Sequence, residues 1–117
     1  MVNKQPVYIA YSGLEVEMIS GGPQDIRPGQ CYFVKDKEGH LHGGITFQDG
    51  NPAERGINGF TNESILAIVK DRLKHLDAKI PCQENKLAIE MLTGALEILE
   101  KRTTGRLIRG VEGKEVE

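Results

Sequence analysis

"HLDAKIPCQEN", residues 75–85, holds the reading that decides the fold. Upstream of it, "FTNESILAIVKDRLKHLDAK" (60–79) carries Ile65, Val69, Leu73, Leu76 and Ile80 at helical spacing with Leu66 beside them. Lys70, Lys74 and Asp77 fall away from that stripe. Thr61 or Asn62 caps the helix start, and Glu63 lies in the first turn, where a carboxylate meets the positive end of the dipole. Pro81 then interrupts the pattern, because its ring removes an N–H and blocks continuation. A second helix begins near Cys82 or Gln83, with Ala88, Met91, Leu92, Ala95 and Leu99 on one face and Ile98 at its edge. Two amphipathic helices joined this tightly run back along each other, so residues 61–110 are expected to form an antiparallel hairpin.

Before the hairpin the periodicity changes from helical to alternating. Val7, Ile9 and Tyr11 alternate, Ser12 and Gly13 break the run, and Leu14, Val16 and Met18 resume it. Pro28 and Gly29 suit a type II turn, "CYFV" a short strand and "DKEG" a turn, while "HLHGGITF" can return beside the previous strand. Residues 1–50 therefore read as a small antiparallel sheet of about four strands. The run "NPAERGING" over 51–59 is too rich in Asn, Gly and Pro for a regular element, so 51–60 reads as a loop. The expected class is α+β: a small N-terminal antiparallel sheet packed with a C-terminal two-helix hairpin in a single domain, ending in a tail at 111–117.

A chain of 117 residues with a formal charge of −2, 15 basic against 17 acidic side chains, has no continuous basic track. That argues against a DNA or RNA partner, so any anion site must be local. No apolar run is long enough to cross a bilayer, which argues against a membrane partner. Two cysteines, Cys31 and Cys82, read as unpaired thiols in a reducing compartment.

Three of the six arginines, Arg102, Arg106 and Arg109, gather in "EKRTTGRLIRGVEG" (100–113). If the second helix continues past Thr104, about 100° per residue puts them within roughly 60° of one another, on the side of Ala88, Ala95 and Leu99. Basic side chains in a last turn also serve as plain partners of the helix dipole. Three guanidinium forks on one stripe, with Thr103 and Thr104 adding hydroxyls, make a better clamp for a diphosphate than scattered lysines. Gly105 implies that the helix ends or kinks there, or that something packs against its backbone. Asn85 lies beside the same stripe or else bonds backbone groups at the helix start. It is about 25 Å along the axis from Arg102, too far for one protomer to grip a small nucleotide with both. A twofold-related hairpin would bring Asn85 of one chain to Arg102 and Arg106 of the other.

"GINGFTNESILAIVKDRL" followed by "CQENKLAIEMLTGALEILEKRTTGRLIRGVEG" resembles the helical hairpin of phage proteins that defeat the bacterial Thoeris and CBASS defences by sequestering their nucleotide signals. The resemblance covers residues 56 to 113, and the preceding sheet resembles the anti-Thoeris type rather than the almost wholly helical anti-CBASS type. It implies a non-catalytic sponge acting in the cytoplasm of the infected bacterial host, without a cofactor. The implied ligand is a cyclic ADP-ribose isomer made by TIR proteins, with cyclic dinucleotides or trinucleotides at separate sites in some members. The implied assembly is a homodimer or a trimer of dimers. By the same resemblance Asn85, Arg102 and Arg106 contact ribose, adenine or diphosphate, and the helix stripe itself adds Thr103 and Arg109 to the candidates. Leu76 stands where the pattern often has Phe, which removes a stacking platform worth roughly 0.5 to 1.5 kcal/mol.

Other chemistry finds weaker footing. His40 and His42 share a strand face near Cys31, but three ligands without a fourth read as surface histidines rather than a metal site. A phosphodiesterase of the same signals would need an activated nucleophile or a metal cluster, and no such constellation stands out. A nucleic-acid or protein interaction module is the remaining alternative.

Overall fold

The computed structural model describes residues 1–109, the side chain of Arg109 excepted. The expected 111–117 tail and Gly110 lie outside the described residues. The chain divides into two compact units at Phe60/Thr61.

The first unit is a four-stranded meander of β1 (Val2–Ile9), β2 (Glu15–Gly21), β3 (Ile26–Lys35) and β4 (Leu41–Thr46), each antiparallel to the next. The two central strands hold its most buried apolar pair, Ile19 opposite Cys31. On the same face Lys35 reaches back across the ladder, its Nζ 3.3 Å from Glu17 and 3.5 Å from Glu15. The hydrogen bond it donates to Glu17 is the main reason its pKa stands above the usual lysine value, against the opposing effect of burial. One strand over, the Phe33 ring lies across Gly44, where any Cβ would collide with it. The glycine leaves room for the aromatic side chain to cover the backbone.

Pro28 and Gly29 do not form the turn between strands that their chemistry suggested. The reversal lies earlier, between Gly21 and Ile26, with Gly22 N–H on the carbonyl of Met1 and Asp25 N–H on that of Gly22. Ile19 pairs with Cys31 and Gly21 with Ile26, so β2 advances two residues while β3 advances five. The extra residues form a bulge in which Gly29 takes a φ of 85°. Bulge and turn demand the same residue types, so the local sequence does not separate them. The 51–60 segment likewise differs from expectation, because Pro52–Arg55 forms a single helical turn, α1. Asn51 caps it by accepting from Ala53 N–H, and Pro52 takes a first-turn position where its missing N–H is no loss.

Beyond α1 the chain returns to the sheet edge, where Phe60 bonds to Thr46 and Gln48 through the backbone. A Cβ on Gly59 would sit 2.5 Å from the backbone of Thr46 and Phe47, so this close approach needs glycine.

The second unit is a pair of helices, α2 (Asn62–Lys79) and α3 (Gln83–Arg109). Thr61 and Ser64 form a reciprocal capping box at the start of α2. The hairpin seam on α3 runs through Asn85, Ile89, Leu92, Leu96, Leu99, Thr103 and Arg106, all at least half-buried at alternating spacings of four and three. This corrects the expected face. Met91 and Ile98 point outward, 75% and 68% exposed, and Ile89 and Leu96 take their place. On α2 the half-buried positions include Leu66, Lys70, Leu73, Leu76 and Asp77, while Val69 and Ile80 are exposed. Lys70 and Asp77 therefore flank the seam rather than lying away from it.

The β3–β4 turn hangs on one carboxylate. Asp36 Oδ1 accepts from the N–H groups of Glu38 and His40, and Oδ2 lies 3.0 Å from His42 Nε2. The His42 contact and then the His40 N–H hold its pKa below the ordinary 3.8. A depressed carboxylate stabilises the fold above its unfolded pKa, and that contribution disappears as pH falls through the lower folded value. Asp36→Asn should therefore lower the melting temperature at pH 6 and flatten its decline below pH 3.8. Thermal melts of parent and variant across that range check it; parallel curves would show that the turn carboxylate contributes nothing.

Candidate functional site

The residues singled out by sequence separate into two groups at opposite ends of the helical hairpin. Leu76, in the last turn of α2, and Asn85, in the first turn of α3, lie at the closed end. Both are half-buried. Arg102, Thr103, Arg106 and Arg109 lie about 25 Å or more further along α3, at its C-terminal end. The helix runs unbroken through Gly105 to Arg109, and a Cβ on Gly105 would meet nothing within 4 Å. The helical premise of the arginine stripe holds, but its members differ. Arg102 is exposed, whereas Arg106 is only 3% exposed and already engaged in an interaction. Arg109 is helical, and its side chain lies outside the described residues. Thr103 donates its hydroxyl to Glu63 Oε2 at 2.7 Å, tying α3 to the first turn of α2.

Sequence reasoning missed the groups that hold this frame. Asp77 Oδ1 accepts from Cys82 N–H at 3.0 Å, and both its oxygens take the Lys86 ammonium at 3.0–3.2 Å. The Cys82 N–H is the main cause, with Lys86 second, of a pKa below the usual aspartate value. A signal for Asp77 exists in the sequence: an acid in a last helical turn opposes the negative end of the dipole and needs a partner. Glu63 gave no such signal, since its first-turn position is favourable by itself.

A further stripe lies on α3 away from the seam, formed by Leu87, Met91, Gly94, Ile98 and Arg102. Its large apolar members are exposed, and a Cβ on Gly94 would meet nothing within 4 Å. Arg102 thus continues an outward-facing apolar surface. In the first unit, a cavity of about 280 Å³ is lined by Gln30, Cys31, Thr46, Phe47, Asp49 and Asn58 among others. Asn58 there bonds the backbone of Asp49 on both sides, and Arg27 pairs with the Asp49 carboxylate at 2.6 Å. None of the predicted ligand-binding residues on the helices lines this cavity.

His40 and His42 both gather on Asp36, while Cys31 receives the Thr46 hydroxyl. Among the described residues no group of three His, Cys, Asp or Glu side chains is arranged to hold a metal ion. Both cysteines are free thiols. Among the described residues no helix is long and apolar enough to cross a membrane.

The chain is similar to Thoeris anti-defense 1 of Bacillus phage SBSphiJ7. It is 44% identical to that protein over 81 residues, which is 68% of this chain. The match spans 56% of the length of Thoeris anti-defense 1, so the chain corresponds to somewhat over half of that relative. No family model matches the chain.

The tie between Thr103 and Glu63 is testable apart from any ligand. Thr103→Val keeps the shape but leaves the carboxylate without that donor. It should cost about 1–3 kcal/mol, read from the urea midpoint, with helix content at low denaturant unchanged. A midpoint equal to the parent's would remove this bond from the list of contacts that close the hairpin.

Proposed function

We propose that this protein counters Thoeris-type signalling by binding a cyclic ADP-ribose isomer and holding it unchanged. It would act in the cytoplasm of a phage-infected bacterium. The observation that carries the reading is the 44% identity to a protein named for anti-Thoeris activity. The arginine-bearing end of α3 supports the choice of an anionic ligand, since guanidinium forks match phosphate oxygens. The axial separation of Asn85 from Arg102 and the exposed apolar stripe between them support a site completed by a second antiparallel copy. Burying Leu87, Met91 and Ile98 against that copy would bring the two ends of the helices together, and Gly94 would let the backbones approach. Two equivalent sites per dimer follow. A trimer of dimers is the larger assembly suggested by resemblance, as is a separate site for cyclic dinucleotides or trinucleotides.

Sequestration and turnover differ in what is recovered. Incubation with a cyclic ADP-ribose isomer, heat denaturation and chromatography should return the ligand intact; a hydrolysed product would replace the sponge with an enzyme. Arg102→Ala should weaken binding about tenfold to a hundredfold without changing the melting temperature, whereas Arg72→Ala on exposed α2 surface should do neither. Arg106→Ala should lower both affinity and stability, because its guanidinium is buried. Parent-like affinity in Arg102→Ala would remove the clamp assignment.

Light scattering at micromolar concentration should report a dimer or a multiple of it. Met91→Glu with Ile98→Glu should yield monomers that have also lost the ligand. A parent that remains monomeric would rule out the two-copy site.

A further inference from the structure

We infer that Asp77 is a positioning residue that holds Asn85 in place at the closed end of the hairpin. The inference rests on the ligand reading above for its functional meaning, and on the turn geometry for its physical basis. Chain reversal passes through Ile80 and Pro81. Ile80 N–H closes on the Leu76 carbonyl and Pro81 has no N–H, so the first donor left to the turn is that of Cys82. Asp77 Oδ1 takes it at 3.0 Å. Cys82 in turn supports the first turn of α3, with its Sγ accepting from Asn85 N–H at 3.4 Å and its carbonyl accepting from Lys86 N–H at 3.3 Å.

A thiol sulfur is a weak acceptor compared with the Ser, Thr, Asp or Asn oxygen that usually caps a helix. The start of α3 is therefore poorly held by its own cap. Asp77 compensates from the neighbouring helix by fixing the Cys82 backbone and by tying down the Lys86 ammonium. Its side chain is 18% exposed, so these bonds are partly shielded from water. The order of dependence is Asp77 to Cys82 to Asn85. Loss of the first link frees the turn on which the Asn85 amide sits, and a ligand contact from a loosened turn is weakened even though Asp77 itself touches no ligand.

The test reads the turn and the ligand separately on the full chain. Amide hydrogen exchange by NMR follows Cys82 and Asn85, and calorimetry follows binding of a cyclic ADP-ribose isomer. Asp77→Ala should speed exchange at both amides by about tenfold or more and weaken binding to within about threefold of Asn85→Ala. Asp77→Asn keeps an oxygen for the Cys82 N–H and should restore most of the protection and affinity. If Asp77→Ala fails to fold, Asp77→Glu keeps the charge but displaces the acceptor, and it should show the same two losses more weakly. Parent-like exchange and binding in these variants would overturn the inference. So would equal losses in Asp77→Ala and Asp77→Asn, which would assign the effect to charge. If the parent binds no such ligand, the ligand reading fails by itself. Exchange then decides the positioning role: faster exchange confined to the turn supports it, and unchanged exchange overturns it.

Discussion

A two-helix hairpin can bury only one seam of each helix, and the rest of the helical unit follows from that constraint. On α3 the seam from Asn85 to Arg106 is spent on α2, while Leu87, Met91 and Ile98 remain in water. Unpartnered apolar side chains along one helix are costly to a lone chain and normal for a chain that meets another. Polar contacts then set the register of the two helices. Thr103 to Glu63 fixes one end and Asp77 to Cys82 and Lys86 the other. Helix packing alone leaves room for axial sliding, whereas a bond at each end does not.

The same two contacts bear on the candidate site because its residues are not neighbours in one chain. Asn85 is three positions beyond Cys82, and Arg102 and Arg106 bracket Thr103. Each group of candidate ligand residues is therefore adjacent to a cross-helix bond, so the distance between the groups is set by a rigid rod with locked ends. For the two-copy site proposed above, such rigidity would have a purpose. The entropy of ordering is met when the hairpin folds and need not be met again when a ligand arrives.

Much of the fold was legible because strong local signals agreed with one another. Thr61 caps, Pro81 breaks and the alternation of the first half predicts strands, and each of these leads to an element where it was expected. The misreadings share a cause, which is that one residue pattern serves two structures. Pro28 and Gly29 fit a turn and fit a bulge. Met91 and Ile89 both lie in apolar stripes of α3, and composition does not say which stripe faces α2. At the candidate site the common helix of the arginines was legible. The place of Arg106 on the packing side was legible too, whereas the exposure of Arg102 was not, since burial depends on what comes from elsewhere in the chain. The use of Thr103 by Glu63, forty residues away in sequence, was equally beyond local reasoning.

The bulge around Pro28 and Gly29 also bears on how this chain can vary in length. Strand pairing is intact on both sides of it, at Gly21 with Ile26 and at Ile19 with Cys31. Residues added or removed between those two pairs change the size of the excursion but need not shift either pairing, so no side chain has to change faces. An insertion between Cys31 and Val34 has no such refuge, because every residue there is paired on both sides without a register shift. Length differences among relatives of this sheet should therefore concentrate in the bulge, which is larger than the register shifts at Pro6/Tyr8 and Val34/Lys35 and acts as the main expansion joint of the ladder.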